Sequence, residues 1–222
     1  MPAAATNSVL GTTDGDWRRF RSHWNALCRD GFAAERGTVR FRRYGRFSFT
    51  TATGRFDRLE SASFVQPENS NPLYIGVDRV FEPLTDAFVT DPVFGALLRL
   101  LGRFATVLDD PAHWTVQVHP FRVSAHAAAT GSPAPEGRHR DGVTLVSSLL
   151  VGRDNAAGGE SSVCTADGRK LLTTTLREPG AVLLGDDRST LHDVSPVCPE
   201  RPDRPAHRDV LVVTFAPWTD CR

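Results

Sequence analysis

The spacing of apolar residues predicts two helices in the first half of the chain. Four large apolar side chains recur at helical intervals: Trp17, Phe20, Trp24 and Leu27. With Asp14 or Asp16 as a cap, they predict a helix that reaches about Cys28. A second helix is predicted in DPVFGALLRLLGRFATVL, where Asp91 provides the cap and Pro92 occupies the first turn.

Other stretches have the two-residue period of strands. TVRFRRYGRFSFT alternates apolar and basic residues, which predicts an early strand. From residue 113 onward, six short stretches are interpreted as strands: HWTVQVHPFRVSA, GVTLVSSLLV, ESSVCTA, KLLTTTL, GAVLLG and RDVLVVTFAP. Turn-forming segments such as TGSPAPEG and REPG separate them. Many short strands at this spacing indicate a sandwich or barrel.

These patterns predict a single mainly β domain, with flanking α-helices, over residues 1–222. Residues 1–13 are small and polar and are expected to form a loose tail. Residues 14–112 are interpreted as a helix-rich covering region with early strands, and residues 113–218 as the β-rich core. No feature of the sequence predicts an oligomeric state.

Composition narrows the function classes. The chain has 26 basic and 26 acidic residues, which argues against nucleic acid as the main partner. The N-terminus does not have the pattern of a signal peptide, and no apolar run approaches membrane-spanning length. The cysteines are scattered without a CxxC pair: Cys28, Cys164, Cys198 and Cys221. We therefore expect a cytoplasmic protein with reduced cysteines.

The tripeptide HRD occurs twice, at residues 139–141 and 207–209. In protein kinases this tripeptide is followed at a fixed distance by Asn. Here the residue five positions after Asp141 is Val146, and the residue five positions after Asp209 is Thr214. The chain also has no DFG and no glycine-rich loop, so a kinase is excluded.

The first HRD is a candidate metal site. In an extended strand, residues two apart point to the same side, so His139 and Asp141 can face one point. His192, 51 positions after Asp141, offers a third ligand. Two imidazoles and one carboxylate on one face are the ligand set of non-heme Fe(II) oxygenases.

In the second HRD, the candidate for ligand binding is the middle residue, Arg208. Arg208 begins the apolar strand VLVVTF, which is expected to be buried, and an unpaired buried cation is costly. A dicarboxylate cosubstrate could pair with this guanidinium in bidentate fashion. The alternative is a structural salt bridge with one of the acidic residues of the chain.

The order of these residues resembles that of the 2-oxoglutarate/Fe(II)-dependent oxygenases. The similarity is closer to the bacterial family that includes L-isoleucine 4-hydroxylase and the BsmA-like proteins. The matching stretches are HPFRV, PAPEGRHRDGV, NAAGGES, LGDDRSTLHDVSPV and RDVLVVTF. Weaker similarities occur upstream in RRYGRF, FVQPENSNP and RVFEPL.

The resemblance implies a double-stranded β-helix core, that is, a cupin-like jelly roll. It also implies that Fe(II), 2-oxoglutarate and O₂ are used, with His139, Asp141 and His192 as iron ligands. Arg208 would bind the distal carboxylate of 2-oxoglutarate. Many relatives have a hydroxyl two residues after this arginine, where this chain has Val210. Thr214 is then the remaining candidate on that strand face for a hydroxyl contact.

The substrate implied by the resemblance is a small molecule, a free aliphatic L-amino acid, that is hydroxylated or otherwise oxidised. Arg122 is a candidate for binding its carboxylate, with a structural salt bridge as the alternative. Glu160 is a candidate for binding its ammonium group. Asp186 or Asp187 could orient a metal ligand, and the alternative is that both hold a loop through Arg188. The presence of Asp141 favours oxygenation over halogenation, because halogenating relatives lack this carboxylate.

Two other functions stay open at this point. One is a cupin-type metal enzyme that does not use 2-oxoglutarate. The other is a non-catalytic protein that senses metal or 2-oxoglutarate.

Overall fold

The computed structural model describes residues 1–35, 37–60 and 79–219. The FVQPENSNP stretch lies outside these residues. The α-helices are α1 (Ala3–Leu10), α2 (Asp14–Ser22), α3 (Gly31–Ala34), α4 (Asp86–Val89) and α5 (Pro92–Leu108). A 3-10 helix, His23–Ala26, directly follows α2.

The strands are β1 (Cys28–Arg29), β2 (Val39–Arg42), β3 (Gly45–Thr50), β4 (Arg55–Arg58), β5 (His113–Ala125), β6 (Leu145–Asp154), β7 (Ala156–Gly158), β8 (Glu160–Thr165), β9 (Lys170–Thr175), β10 (Val182–Asp186), β11 (Thr190–Val194), β12 (Val197–Pro199) and β13 (Ala206–Pro217). The large sheet has the order β1-β2-β5-β13-β6-β10, and β3 and β4 extend it from β5. A smaller sheet has the order β11-β8-β9, and β12 pairs with β7. All pairs between strands of the described residues are antiparallel.

The outer face of the large sheet carries the main hydrophobic core. Side chains from α2, the 3-10 helix and α5 pack there against alternate residues of β5 and β13. On β13 these residues are Leu211, Val213 and Phe215, all of them buried. This face is apolar because burying such side chains stabilises a fold by about 1.5–3 kcal/mol each.

The inner face of the large sheet lines a cavity, and β11 of the smaller sheet lines it from the other side. The even-numbered residues of β13 from Arg208 to Ala216 face this cavity. One strand therefore serves both layers, because its side chains alternate. Two facing antiparallel layers with helices outside confirm the prediction of a mainly β fold with a jelly-roll core.

The helix predictions were mostly correct. α5 begins after Asp91, whose side chain accepts a hydrogen bond from Val93 N at 2.9 Å. α2 is instead capped by Thr13, which forms a reciprocal capping box with Asp16. The α-helix ends at Ser22, and a 3-10 turn continues the apolar spacing to Trp24.

The prediction of a loose tail over residues 1–13 is wrong, since most of this stretch is α1. Ala3 and Thr6 are buried, and the N-terminal amine donates to Val182 O at 2.6 Å. Asn7 Oδ1 also accepts a 2.7 Å hydrogen bond from Trp17 Nε1. The small, polar composition concealed a helix that is held in place by tertiary contacts.

Candidate active site

The cavity between the two layers is the candidate active site. Its volume is about 260 Å³. The large sheet contributes residues of β2, β5, β6 and β13, the smaller sheet contributes β11, and the loop before β6 contributes residues 133–143. Ligand pockets start at roughly 300 Å³, so a cavity of this size suits a small molecule.

The backbone brings the two histidines of the candidate metal site together. His139 and His192 exchange both backbone hydrogen bonds, at 3.0 and 2.9 Å, as an isolated antiparallel bridge. Directly opposite residues of such a pair project to the same side, and the imidazole centroids lie 4.4 Å apart. Asp141 lies two residues farther along, so one atom from each of the three side chains falls within 4.8 Å of the others.

The hydrogen bonds leave lone pairs directed at a common point. His139 Nδ1 lies 2.8 Å from Gly137 O, and a carbonyl can only accept, so Nδ1 carries the proton. In the neutral imidazole Nε2 is then unprotonated, and it lies 3.8 Å from Asp141 Oδ1. His192 Nε2 lies 3.7 Å from Asp141 Oδ2. Burial raises the pKa of Asp141, although both histidines oppose this shift. Such a convergence of lone pairs fits a divalent cation.

Asp187 contacts both the backbone of the Asp141 loop and the ring of His192. It is fully buried, and its Oδ2 accepts from the backbone N–H groups of Asp141, Gly142 and Val143 at 2.9, 2.7 and 3.1 Å. Its Oδ1 lies 3.6 Å from His192 Nδ1. Burial acts to raise the pKa of Asp187, but the interactions with His192 and the backbone outweigh it and lower the pKa. Of the two predicted aspartates, Asp187 therefore has the position that orients a ligand.

We expect Asp187→Asn to weaken metal binding by roughly ten- to a hundredfold, as is usual when a partner of a ligating histidine is lost. The amide keeps the shape but removes the charge and replaces one acceptor by a donor. Calorimetric titration with Fe(II) under anaerobic conditions measures the effect. Asp186→Asn is the matched control, because Asp186 pairs with Arg188 instead. Equal affinities in the two variants would contradict this role for Asp187.

Arg208 and Thr214 lie in the same cavity. Arg208 is only 1% exposed, and its Nε and Nη2 have no hydrogen-bond partner among the described residues. Thr214 Oγ1 is likewise buried without a partner in the described part of the chain. Burial, followed by the nearby Arg153, lowers the pKa of Arg208 to about 10, so the guanidinium stays charged at neutral pH. A buried cation with unused donors fits an anionic ligand.

Two predicted substrate residues are corrected by the structure. Arg122 lies on the helix-covered face of β5, where its Nε and Nη2 donate to the buried Asp209 at 2.7 and 2.8 Å. It therefore forms the structural salt bridge that was its alternative interpretation. Glu160 begins β8 with an exposed side chain and does not line the cavity. Strand periodicity separates the two sides of β5 but could not show which of them faces the cavity, because both sides carry polar side chains.

Sequence analysis missed several residues that line the cavity. Glu136 is largely buried, and its Oε1 lies 3.3 Å from His139 Nε2. Arg40 and Arg42, on β2, and Arg79 are buried in the same cavity wall. Arg40 Nη2 lies 2.8 Å from Asp30 Oδ2, and Arg42 Nη2 donates to His119 Nδ1 at 2.6 Å. The alternating basic residues of TVRFRRYGRF were the available signal for this wall.

A jelly roll whose interior holds two imidazoles and one carboxylate is typical of the non-heme Fe(II) oxygenases. Residues 21–214 match the family model described as 2OG-Fe dioxygenase. The chain therefore belongs to the 2OG-Fe dioxygenase family, which uses Fe(II), 2-oxoglutarate and O₂. The search of curated proteins found no match. Among the described residues, no helix is long and apolar enough to cross a membrane.

Solved structures agree with this assignment. A BsmA homolog from Methylobium petroleophilum is 35% identical, with a TM-score of 0.88 over 97% of this chain and 86% of that one. IDO from Bacillus thuringiensis is 20% identical, with a TM-score of 0.79 over 96% of this chain and 89% of that one. The Fe(II)/(alpha)ketoglutarate-dependent dioxygenase TqaL is 21% identical, with a TM-score of 0.78 over 100% of this chain and 82% of that one. The last two comparisons show the fold alone.

Proposed function

We propose that the protein oxidises a free aliphatic L-amino acid, with His139, Asp141 and His192 as iron ligands and Arg208 as the partner of the distal carboxylate of 2-oxoglutarate. Thr214 would add a hydroxyl contact to that carboxylate. Fe(II) held by His139, Asp141 and His192 would supply the activation of O₂, coupled to the conversion of 2-oxoglutarate to succinate and CO₂, that is needed to oxidise a substrate C–H bond. Support for the ligand assignment comes from the convergence of the three side chains and the unused donors of Arg208.

The observation that carries the choice of substrate is the presence of both signs of charge in one small cavity. Glu136 is a carboxylate beside the candidate metal ligands, and Arg40, Arg42 and Arg79 place guanidinium groups in the same wall. A zwitterion needs an acceptor for its ammonium group and donors for its carboxylate. The phenyl ring of Phe121 and the side chains of Val210 and Val212 also line the cavity and suit an aliphatic side chain. The resemblance to amino-acid hydroxylases is consistent with this choice.

The proposal is tested by a succinate-release screen. The protein is loaded with Fe(II) under anaerobic conditions, mixed with 2-oxoglutarate and single L-amino acids, and exposed to O₂. We expect one or a few aliphatic amino acids to raise succinate formation above the substrate-free rate, with a product heavier by one oxygen in mass spectrometry. A protein that binds 2-oxoglutarate but releases no extra succinate with any amino acid would contradict the choice of substrate.

We expect Glu136→Gln to raise the KM for the amino acid by about tenfold or more, because hydrogen bonds to charged groups contribute roughly 1.5–3 kcal/mol. The affinity for 2-oxoglutarate should change little. Steady-state kinetics and calorimetry separate the two quantities. Glu160→Gln is the matched control, since that carboxylate is exposed outside the cavity. If Glu136→Gln instead weakens Fe(II) binding and leaves the KM unchanged, Glu136 belongs to the metal site.

A further inference from the structure

Two arginines face each other at one end of the large sheet. Arg153 near the end of β6 and Arg208 near the start of β13 are register partners on neighbouring antiparallel strands. Their side chains therefore project from the same face of the sheet, and like charges in directly opposite positions repel each other. Arg153 lowers the pKa of Arg208, after the larger effect of burial.

The side chain of Arg153 is fixed but not fully used. Its Nη2 donates to the carbonyl oxygens of Ala156 and Gly158, at 2.5 and 2.8 Å. Its Nη1 is buried and has no hydrogen-bond partner among the described residues, as is also true of Nε and Nη2 of Arg208. Glu200 attracts Arg153 through space, whereas Arg177 repels it. Three buried donors on two adjacent cations are costly to leave without an acceptor.

The position of Gly159 shows that the two arginine side chains are close neighbours. Its φ is +66°, and a Cβ at this position would lie 2.9 Å from Cδ of Arg208 and 3.1 Å from its Nε. The same atom would lie 3.3 Å from Nη1 of Arg153. The backbone of Gly159 therefore packs directly against both arginine side chains and leaves no room for a side chain there, which shows that the two guanidinium groups lie close to each other.

We propose that Arg153 and Arg208 form a two-arginine subsite for the distal carboxylate of 2-oxoglutarate. The inference rests on the proposed function, which assigns that carboxylate to Arg208, and it adds Arg153 as a second binding residue. A carboxylate has lone pairs on two oxygens and can accept from both guanidinium groups. Its charge also offsets the repulsion between the two cations.

The test compares two ligands that differ only at the distal end. Binding of 2-oxoglutarate and of 2-oxopentanoate, which has a methyl group in place of that carboxylate, is measured by calorimetry on the Mn(II)-loaded protein. In Arg153→Met we expect the Kd of 2-oxoglutarate to rise about tenfold, the effect of one lost charge-assisted hydrogen bond. The Kd of 2-oxopentanoate should change less than about twofold, because its methyl group has no such bond to lose.

Arg177→Met is the matched control, because it removes a neighbouring cation that is exposed and is not the register partner of Arg208. Arg153→Lys keeps the charge and is expected to retain part of the affinity for 2-oxoglutarate. If Arg153→Met leaves both affinities unchanged, or lowers both equally, Arg153 only supports the turn at Ala156–Gly158, and the inference is overturned. A wild-type protein that does not prefer 2-oxoglutarate over 2-oxopentanoate would instead overturn the assignment of Arg208 and, with it, the subsite.

Discussion

Asp141→Ala is expected to reduce succinate formation by roughly a thousandfold or more, which corresponds to about 4 kcal/mol of lost transition-state stabilisation. The carboxylate of Asp141 lies between Nε2 of His139 and Nε2 of His192, at 3.8 and 3.7 Å. Without it, two neutral imidazoles are left to hold the metal, and the negative charge that balances Fe(II) is lost. The measurement is single-turnover succinate formation with excess Fe(II), together with the Fe(II) affinity from calorimetry.

A neighbouring carboxylate provides the control for Asp141→Ala. Asp193 directly follows His192 on β11 and does not line the active-site cavity. Asp193→Ala should therefore retain Fe(II) binding and most of the turnover. Thermal unfolding of both variants shows whether the fold is retained. Substantial turnover in a folded Asp141→Ala protein would mean that iron is held elsewhere.

Arg208→Met is expected to raise the Kd of 2-oxoglutarate by a hundredfold or more, because a bidentate charged pair involves two strong hydrogen bonds of roughly 1.5–3 kcal/mol each. The affinity for 2-oxopentanoate should hardly change. The melting temperature of Arg208→Met is a second measurement, because losing a structural salt bridge would lower it. Because the buried guanidinium leaves two donors unused among the described residues, its replacement by an apolar side chain should maintain or raise the melting temperature.

Arg204→Met is the control for this experiment, since Arg204 is exposed in the loop before β13. A large loss of stability in Arg208→Met, with unchanged 2-oxoglutarate affinity, would indicate a structural cation. Turnover that persists in this variant without any need for 2-oxoglutarate would favour a cupin-type enzyme. Tight 2-oxoglutarate binding by the wild type without turnover on any substrate would favour a sensor.

The sequence predicted those features that depend on local spacing. α5 has the cap, the proline and the helical period in one continuous stretch, so its predicted and observed bounds agree. His139 and Asp141 were found because residues two apart in an extended segment share a side, and the fold brings His192 close to them. The backbone bridge between the two histidines has no local signature, because it joins residues that are distant in the sequence.

The missed features depend on which side of an element faces which layer. β5 has polar side chains on both sides, so its alternation could not tell that Gln117 and His119 face the cavity while Arg122 faces the helices. On β2 the buried residues are the charged ones, Arg40 and Arg42, which reverses the usual relation between polarity and exposure. α1 was missed because its stability comes from contacts with residues far along the chain.

The alternation along β13 has a consequence for how this enzyme could acquire new substrates. Leu211, Val213 and Phe215 belong to the core, whereas Val210 and Val212 line the cavity. A change at a cavity position alters the shape offered to the ligand while the packing on the opposite side stays intact. Variation at these cavity positions can therefore leave the main core unchanged, and its cost falls on the smaller cluster that Val210 forms with Leu150 and Leu176.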